Sequence, residues 1–295
     1  MVGYFLFLDI NIKFLYYFYI MKKSVKKLFI LPLLTLLVAC NNNTSDPDQF
    51  DGYYKAPTSK LTYHEFGPYS TGGYRYLKST GDVNILVAPV IIKGFEDIAT
   101  SENHDKIEKS FFGTSEDTGW ESVSSYYQKS SFGKLNIHGE VTPWIDIDMD
   151  RDEVVSQSKG YGDGGTYYVI EKVYEYVLNS TDINLKDYDL DKDGYIDALW
   201  LVYSCPAEHE GYLSDTFWAF TFWDYENSHY KGNNPVPYTY AWASINFLFE
   251  HDYIPIDAHT YIHETGHILG LEDYYDYDSA HTPMAAFDMQ DFNIG

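Results

Sequence analysis

Between Tyr261 and Asp273 the chain reads Tyr-Ile-His-Glu-Thr-Gly-His-Ile-Leu-Gly-Leu-Glu-Asp, and no other stretch constrains the fold as tightly. His263 and His267 are four residues apart, a spacing that sets two imidazoles on one face of a helix where they can grip one metal ion. Glu264 follows the first imidazole and can reach a water on that metal. Gly270 stands three residues past His267 and suits a helix end in a left-handed turn. A helix rises about 1.5 Å per residue, so a straight continuation would leave Asp273 roughly 9 Å beyond His267, too far for a bond of about 2 Å. If the chain turns back at Gly270, Asp273 closes the site. The expected centre is Zn2+ held by His263, His267 and Asp273, with Glu264 as the catalytic base. The plainer alternative is an amphipathic helix carrying two surface histidines.

The run His263–Asp276, HETGHILGLEDYYD, resembles the immune inhibitor A family of secreted bacterial metallopeptidases. The resemblance implies an α+β fold of the metzincin-like zincin type, with Asp as the third zinc ligand. That fold has a twisted mixed sheet, a backing helix, an active-site helix and a tight Met turn beneath the metal. Ala285-Ala286-Phe287-Asp288-Met289 looks like that turn, with Met289 as its methionine; read alone, Met289 is an ordinary core residue. Phe111–Gly113, Trp120–Tyr127 and Ser131–Leu135 also match the family's N-terminal portion and are read as sheet and packing. The implied activity is endopeptidase cleavage of extracellular polypeptides. The metal would lower the pKa of water to about 7, Glu264 would take its proton, and the proton would pass to the leaving amine. A gluzincin would need a Glu ligand well downstream of His267, and only Glu272 follows it. Tyr274, Tyr275 and Tyr277 are weak pointers to an oxyanion partner. His259 is expected one turn from the metal, and Asp276 and Asp278 as supporting or solvated carboxylates.

A second constellation is Asp189-Leu190-Asp191-Lys192-Asp193-Gly194-Tyr195-Ile196-Asp197. Asp189, Asp191 and Asp193 alternate, Gly194 permits a sharp turn, and Asp197 falls at the ninth position of an EF-hand-like loop. The twelfth position is Trp200, not the usual Glu, and the loop leads straight into the strand-like run Ala198–Tyr203. It reads as a structural Ca2+ clip, or else as an ion-free turn of self-capping aspartates. The family commonly carries a similar Asp-rich loop. These two constellations leave a competing function open: a non-catalytic calcium-binding surface lipoprotein acting as a binding module. That reading expects a lost ligand or a lost Glu264, and neither is lost.

Apolar patterning places the remaining elements. Strands are expected over 83–92, 134–141, 198–203, 217–222 and 238–247. Helices are expected over 104–112, over 119–129 with Asp117 or Thr118 as cap, and over 258–269 with Asp257 as cap. A helix over 166–178 would turn Tyr167, Ile170, Val173, Tyr174 and Val177 inward, behind the sheet.

The first 40 residues read as a leader. Met21 opens a pattern of Lys22, Lys23, Lys26 and Lys27, then the apolar run Leu28–Ala39, too short to span a bilayer comfortably. Leu37-Val38-Ala39-Cys40 resembles a lipobox. Cys40 is thus the expected lipidation site and Met21 the expected start; the alternative is a single N-terminal membrane anchor. Residues 41–80 are polar and aperiodic and read as a tether, leaving 81–295 as the catalytic domain, which is expected to lack its lower lobe. The expected location is the cell surface, with membrane contact only through a lipid at Cys40. The other cysteine, Cys205, would be a buried, inert thiol. The net charge of −24 argues against nucleic acid or anionic lipid as partners. Polypeptide substrate is the expected partner, and the sequence does not speak to oligomeric state.

Overall fold

The computed structural model describes residues 76–157, 166–208, 215–223, 233–251, 253–275 and 288–291. Chain contacts separate Met1–Lys60 from Leu61–Gly295, and everything described belongs to the second unit. The expected leader with Cys40, the tether as far as residue 75, and Asp276, Tyr277, Asp278 and Ala285–Phe287 lie outside the described residues.

In chain order the main elements are β1 (Gly81–Ile91), α1 (Ser101–Phe112), α2 (Ser115–Thr118), α3 (Val123–Ser130), β2 (Leu135–Val141), β3 (Ile145–Asp146) and α4 (Arg151–Ser156). Then follow α5 (Thr166–Ser180), β4 (Tyr195–Ile196), β5 (Leu199–Tyr203), β6 (Phe220–Trp223), β7 (Val236–Pro237), β8 (Thr239–Ser244) and α6 (His259–Ile268). The main sheet runs β2-β1-β5-β8-β6, with β3 beside β1. Its pairings are parallel except β6 against β8, so the sheet is mixed, as expected.

Both sheet faces are covered, which is why β1, β5 and β8 are apolar at nearly every position. On one face Val83, Ile85, Val87, Trp200, Val202, Ala241 and Ala243 pack with residues of α1, α3 and α6. On the other, Leu86, Ala88, Val90, Leu201, Tyr203, Tyr240 and Trp242 pack with residues of α5. In α5 the inward set is Val169, Ile170, Val173, Tyr174 and Val177; Val169 takes the place expected for Tyr167, which is half-buried. Two shorter helices replace the single one expected near 119–129. Gly119 (φ 86°) ends α2, and Ser122 caps α3 through a capping box with Ser125. The folded body also begins before β1, since Leu77 is buried and donates its N–H to Ile268 O at 2.9 Å.

Helix α6 is fastened to this body by polar groups set among aromatic rings. Trp200 Nε1 donates to Thr265 Oγ1 at 3.1 Å, Tyr261 OH to Ser244 O at 3.1 Å, and Tyr127 OH to Ile262 O at 2.7 Å. Phe111, Trp200 and Tyr261 pack around these bonds with centroids 5.0–5.2 Å apart. The helix begins one residue later than expected, with Ala258 at the cap position. Asp257 still accepts from His259 N at 3.0 Å, but its carboxylate is also held by the His251 and His259 rings. Tyr127→Phe removes one buried hydrogen bond and keeps the ring, so it should cost about 1 kcal/mol in urea unfolding; an unchanged midpoint would show that α6 does not depend on this bond.

Candidate metal centre

Helical geometry sets His263 and His267 one above the other on α6, with Nε2 atoms 3.1 Å apart and rings nearly perpendicular. Gly270 (φ 90°) turns the chain, with Gly270 N on His267 O and Leu271 N on Gly266 O, each at 2.9 Å. The returning loop sets Asp273 Oδ1 3.1 Å from His263 Nε2 and 3.2 Å from His267 Nε2. Three donor atoms therefore form a near-equilateral triangle. Ligands of a tetrahedral zinc at bonds of about 2.0–2.1 Å are about 3.3 Å apart, so the triangle matches one face of that tetrahedron.

The outer ring nitrogens reinforce the fit. His263 Nδ1 faces Met289 O at 2.8 Å, and His267 Nδ1 faces Leu271 O at 2.7 Å. A carbonyl only accepts, so each Nδ1 carries a proton and each neutral ring presents its Nε2 lone pair to the centre. Two such lone pairs and a carboxylate oxygen repel one another unless a proton or cation lies among them. Without metal a proton serves. Burial alone would push His267 down, but the Asp273 hydrogen bond, the Glu264 and Asp273 charges and the Leu271 carbonyl outweigh it, raising its pKa to about 9. His263 is likewise opposed by burial yet raised, chiefly by Asp273.

Glu264 is 5 % exposed, and burial raises its pKa against the pull of the two imidazoles and Thr221. Thr221 Oγ1 lies 3.0 Å from Glu264 Oε2 and 2.9 Å from Glu264 O. Nothing in the sequence singled out Thr221, because its place depends on how β6 lies beside α6. Gln290, next to Met289, was missed for the same reason. Its buried side chain lies against Gly266, its Nε2 is 3.4 Å from His267 Nδ1, and its backbone O accepts from Tyr274 N at 2.7 Å. Met289 itself packs, partly buried, against the core on the α6 side of the sheet. The ring of Tyr275 stacks 6.4 Å from that of His263, whereas Tyr274 is exposed. His259 stands apart from the three-donor cluster, flat on Trp120 at 4.3 Å.

The Asp-rich loop brings carboxylate oxygens of Asp189, Asp191 and Asp197 within 4.8 Å of one another. Asp193 does not join that group; its Oδ1 accepts from Tyr195 N at 3.0 Å. Lys192 (φ 63°) and Gly194 (φ 88°) make the tight turn, and Asp193 N and Gly194 N cap Asp189. Burial raises the Asp197 pKa to about 7, helped by Asp191, Asp189 and Asp193 and opposed by the Leu190 N–H. Cys205 is buried, and desolvation pushes its thiol up to about 12, in keeping with an inert side chain.

A helix carrying two histidines and a buried glutamate, closed by an aspartate beyond a glycine turn, defines a metallopeptidase type of centre. The catalytic-domain model of immune inhibitor A peptidase M6 matches residues 95–287, well over half of the sequence, and the chain belongs to that family of metallopeptidases. Pre-pro-metalloprotease PrtV of Vibrio cholerae serotype O1, in two strains, is 25 % identical over 178 residues, covering 52 % of this chain. The match spans 19 % of those relatives' own length.

Two outcomes follow from the geometry. A Cβ on Gly266 would lie 2.2 Å from Gln290 Oε1. Gly266→Ala should therefore destabilise by about 1–3 kcal/mol despite a helix-propensity gain of about 1 kcal/mol. Adding Gln290→Ala should reverse the sign, which thermal unfolding of both variants would check. Because the His267 proton is lost only as pH rises through about 9, a zinc ion bound by these donors would have to displace it at neutral pH. Apparent zinc affinity should climb by up to about tenfold per pH unit from 6.5 towards 9 and then level off, with matching proton release in calorimetry.

Proposed function

We propose that the chain is a zinc-dependent endopeptidase of the metzincin type, with His263, His267 and Asp273 as ligands and Glu264 as general base. The observation that carries this is the donor triangle, with both outer ring nitrogens turned to carbonyls. A zinc ion held there would supply Lewis-acid polarisation and lower the pKa of a bound water to about 7. Glu264 takes the proton of the attacking water and returns it to the leaving amine nitrogen. Its burial supports this role, because a desolvated carboxylate holds a proton more readily than a solvated one. The polypeptide lies along β6, at the end of the sheet's strand order, by main-chain pairing. Met289 is the methionine of the turn beneath the metal, and its carbonyl orients His263.

The remaining parts follow the same reading. Residues 1–40 act as a lipoprotein leader that ends at Cys40, and residues up to about 75 tether a cell-surface enzyme acting on extracellular proteins. The Asp189–Asp197 loop takes a structural calcium ion through Asp189, Asp191 and Asp197, with Asp193 shaping the turn.

The test is metal content together with casein hydrolysis by wild type and Glu264→Ala. The variant should keep its zinc and lose at least about a thousandfold in rate, as expected for a group that both takes and returns the proton. Equal hydrolysis by the two proteins would remove Glu264 from the mechanism. For the loop, the sign follows from Asp197. Its folded pKa of about 7 lies above the unfolded value near 4, so without a cation stability falls as pH rises between them. Calcium should therefore raise the melting temperature more at pH 8 than at pH 5.5. A calcium effect independent of pH would place the ion elsewhere.

A further inference from the structure

We propose that Thr221 is a positioning residue for Glu264, fixing one carboxylate oxygen so that the other is left for water. The proposal rests on the reading of Glu264 as the base and adds what holds it. Among the described residues, the Thr221 hydroxyl makes the only hydrogen bond to the Glu264 carboxylate. A buried carboxylate with so few partners has little else to define its orientation.

The register of β6 puts the hydroxyl there. Thr221 is paired with Ala241, on the α6 side of the sheet, while Phe220 and Phe222 pack into the opposite layer. A slip of one residue would present a phenylalanine to Glu264 instead. Thr221 reaches α6 directly, its hydroxyl 2.9 Å from Glu264 O.

The hydroxyl has one proton and two acceptors, Glu264 O at 2.9 Å and Oε2 at 3.0 Å. The backbone carbonyl also faces the helical N–H of Ile268, whereas an ionised carboxylate attracts the hydroxyl by a charge-assisted bond roughly twice as strong as a neutral one. While Glu264 is ionised, the hydroxyl holds Oε2. The base is thus held by one carboxylate oxygen, and the other is left for water.

Thr221→Val preserves shape and removes the hydroxyl; Thr221→Ser keeps the hydroxyl. On a peptide substrate, Thr221→Val should lower kcat by about tenfold with KM within twofold and full zinc content, while Thr221→Ser stays within about twofold of wild type. Independently of activity, Thr221→Val should lower the melting temperature by a few degrees, and that drop should shrink in a Glu264→Gln background, where the hydroxyl meets only neutral acceptors. Unchanged kcat in Thr221→Val, or Thr221→Ser as slow as Thr221→Val, overturns the proposal while an inactive Glu264→Gln leaves the base in place. A fully active Glu264→Gln overturns both.

Discussion

Three electron-rich atoms lie within about 3 Å of each other in a largely buried place, and this repulsion is what the rest of the structure must sustain. Each donor is held from behind. The Met289 carbonyl fixes one ring, the Leu271 carbonyl fixes the other, and the Gln290 carbonyl anchors the loop one residue past Asp273. The proton that His267 keeps to about pH 9 measures how strongly the site calls for positive charge. A cation would satisfy that demand more fully than a proton, since the three donors lie close enough for one ion to meet them all.

Rigidity for this arrangement comes from the sheet. Ala241 and Ala243 are the smallest side chains on their face of β8, which lets α6 lie close against the strand. The close approach brings Thr265 within reach of Trp200, and Tyr261 within reach of the Ser244 carbonyl. Thr265 sits between His263 and His267 in sequence, so the bond to Trp200 fixes the rotation of the helix about its own axis. Gly266 completes the fit from the other side, where only the lack of a side chain admits Gln290.

The helix-borne part of the centre was legible in the sequence because its spacing is helical and local. His263, Glu264 and His267 needed only a period of 3.6, and Asp273 needed only a break at Gly270. Of the parallel strands, β1 and β5 were legible as apolar runs, and β2 by its alternation. Thr221 and Gln290 were not, since each acts across more than twenty residues of sequence through a pairing that no local pattern encodes. The helix near 119–129 was misjudged because Gly119 and Ser122 stop one helix and start another within four residues, while the apolar spacing runs on through both. Asp257 was expected to cap α6, but two histidines compete for its carboxylate, a contact that depends on the chain between β8 and the helix.

The Asp-rich loop and the metal centre share one strand. Asp197 is followed by Ala198 and Leu199, and Trp200 then stands where an EF-hand loop would place its closing glutamate. In this fold that position is already committed, because Trp200 is wholly buried and its indole N–H holds Thr265. A carboxylate there would lie in the apolar layer beneath α6, where an unpaired charge is costly. The loop is closed instead by Asp197, three positions earlier, which turns back to accept from Leu190 N and comes near Asp189 and Asp191. The departure from the EF-hand pattern thus has a physical reason: the residue that would finish the loop is the one that fixes the helix carrying His263 and His267 to the sheet.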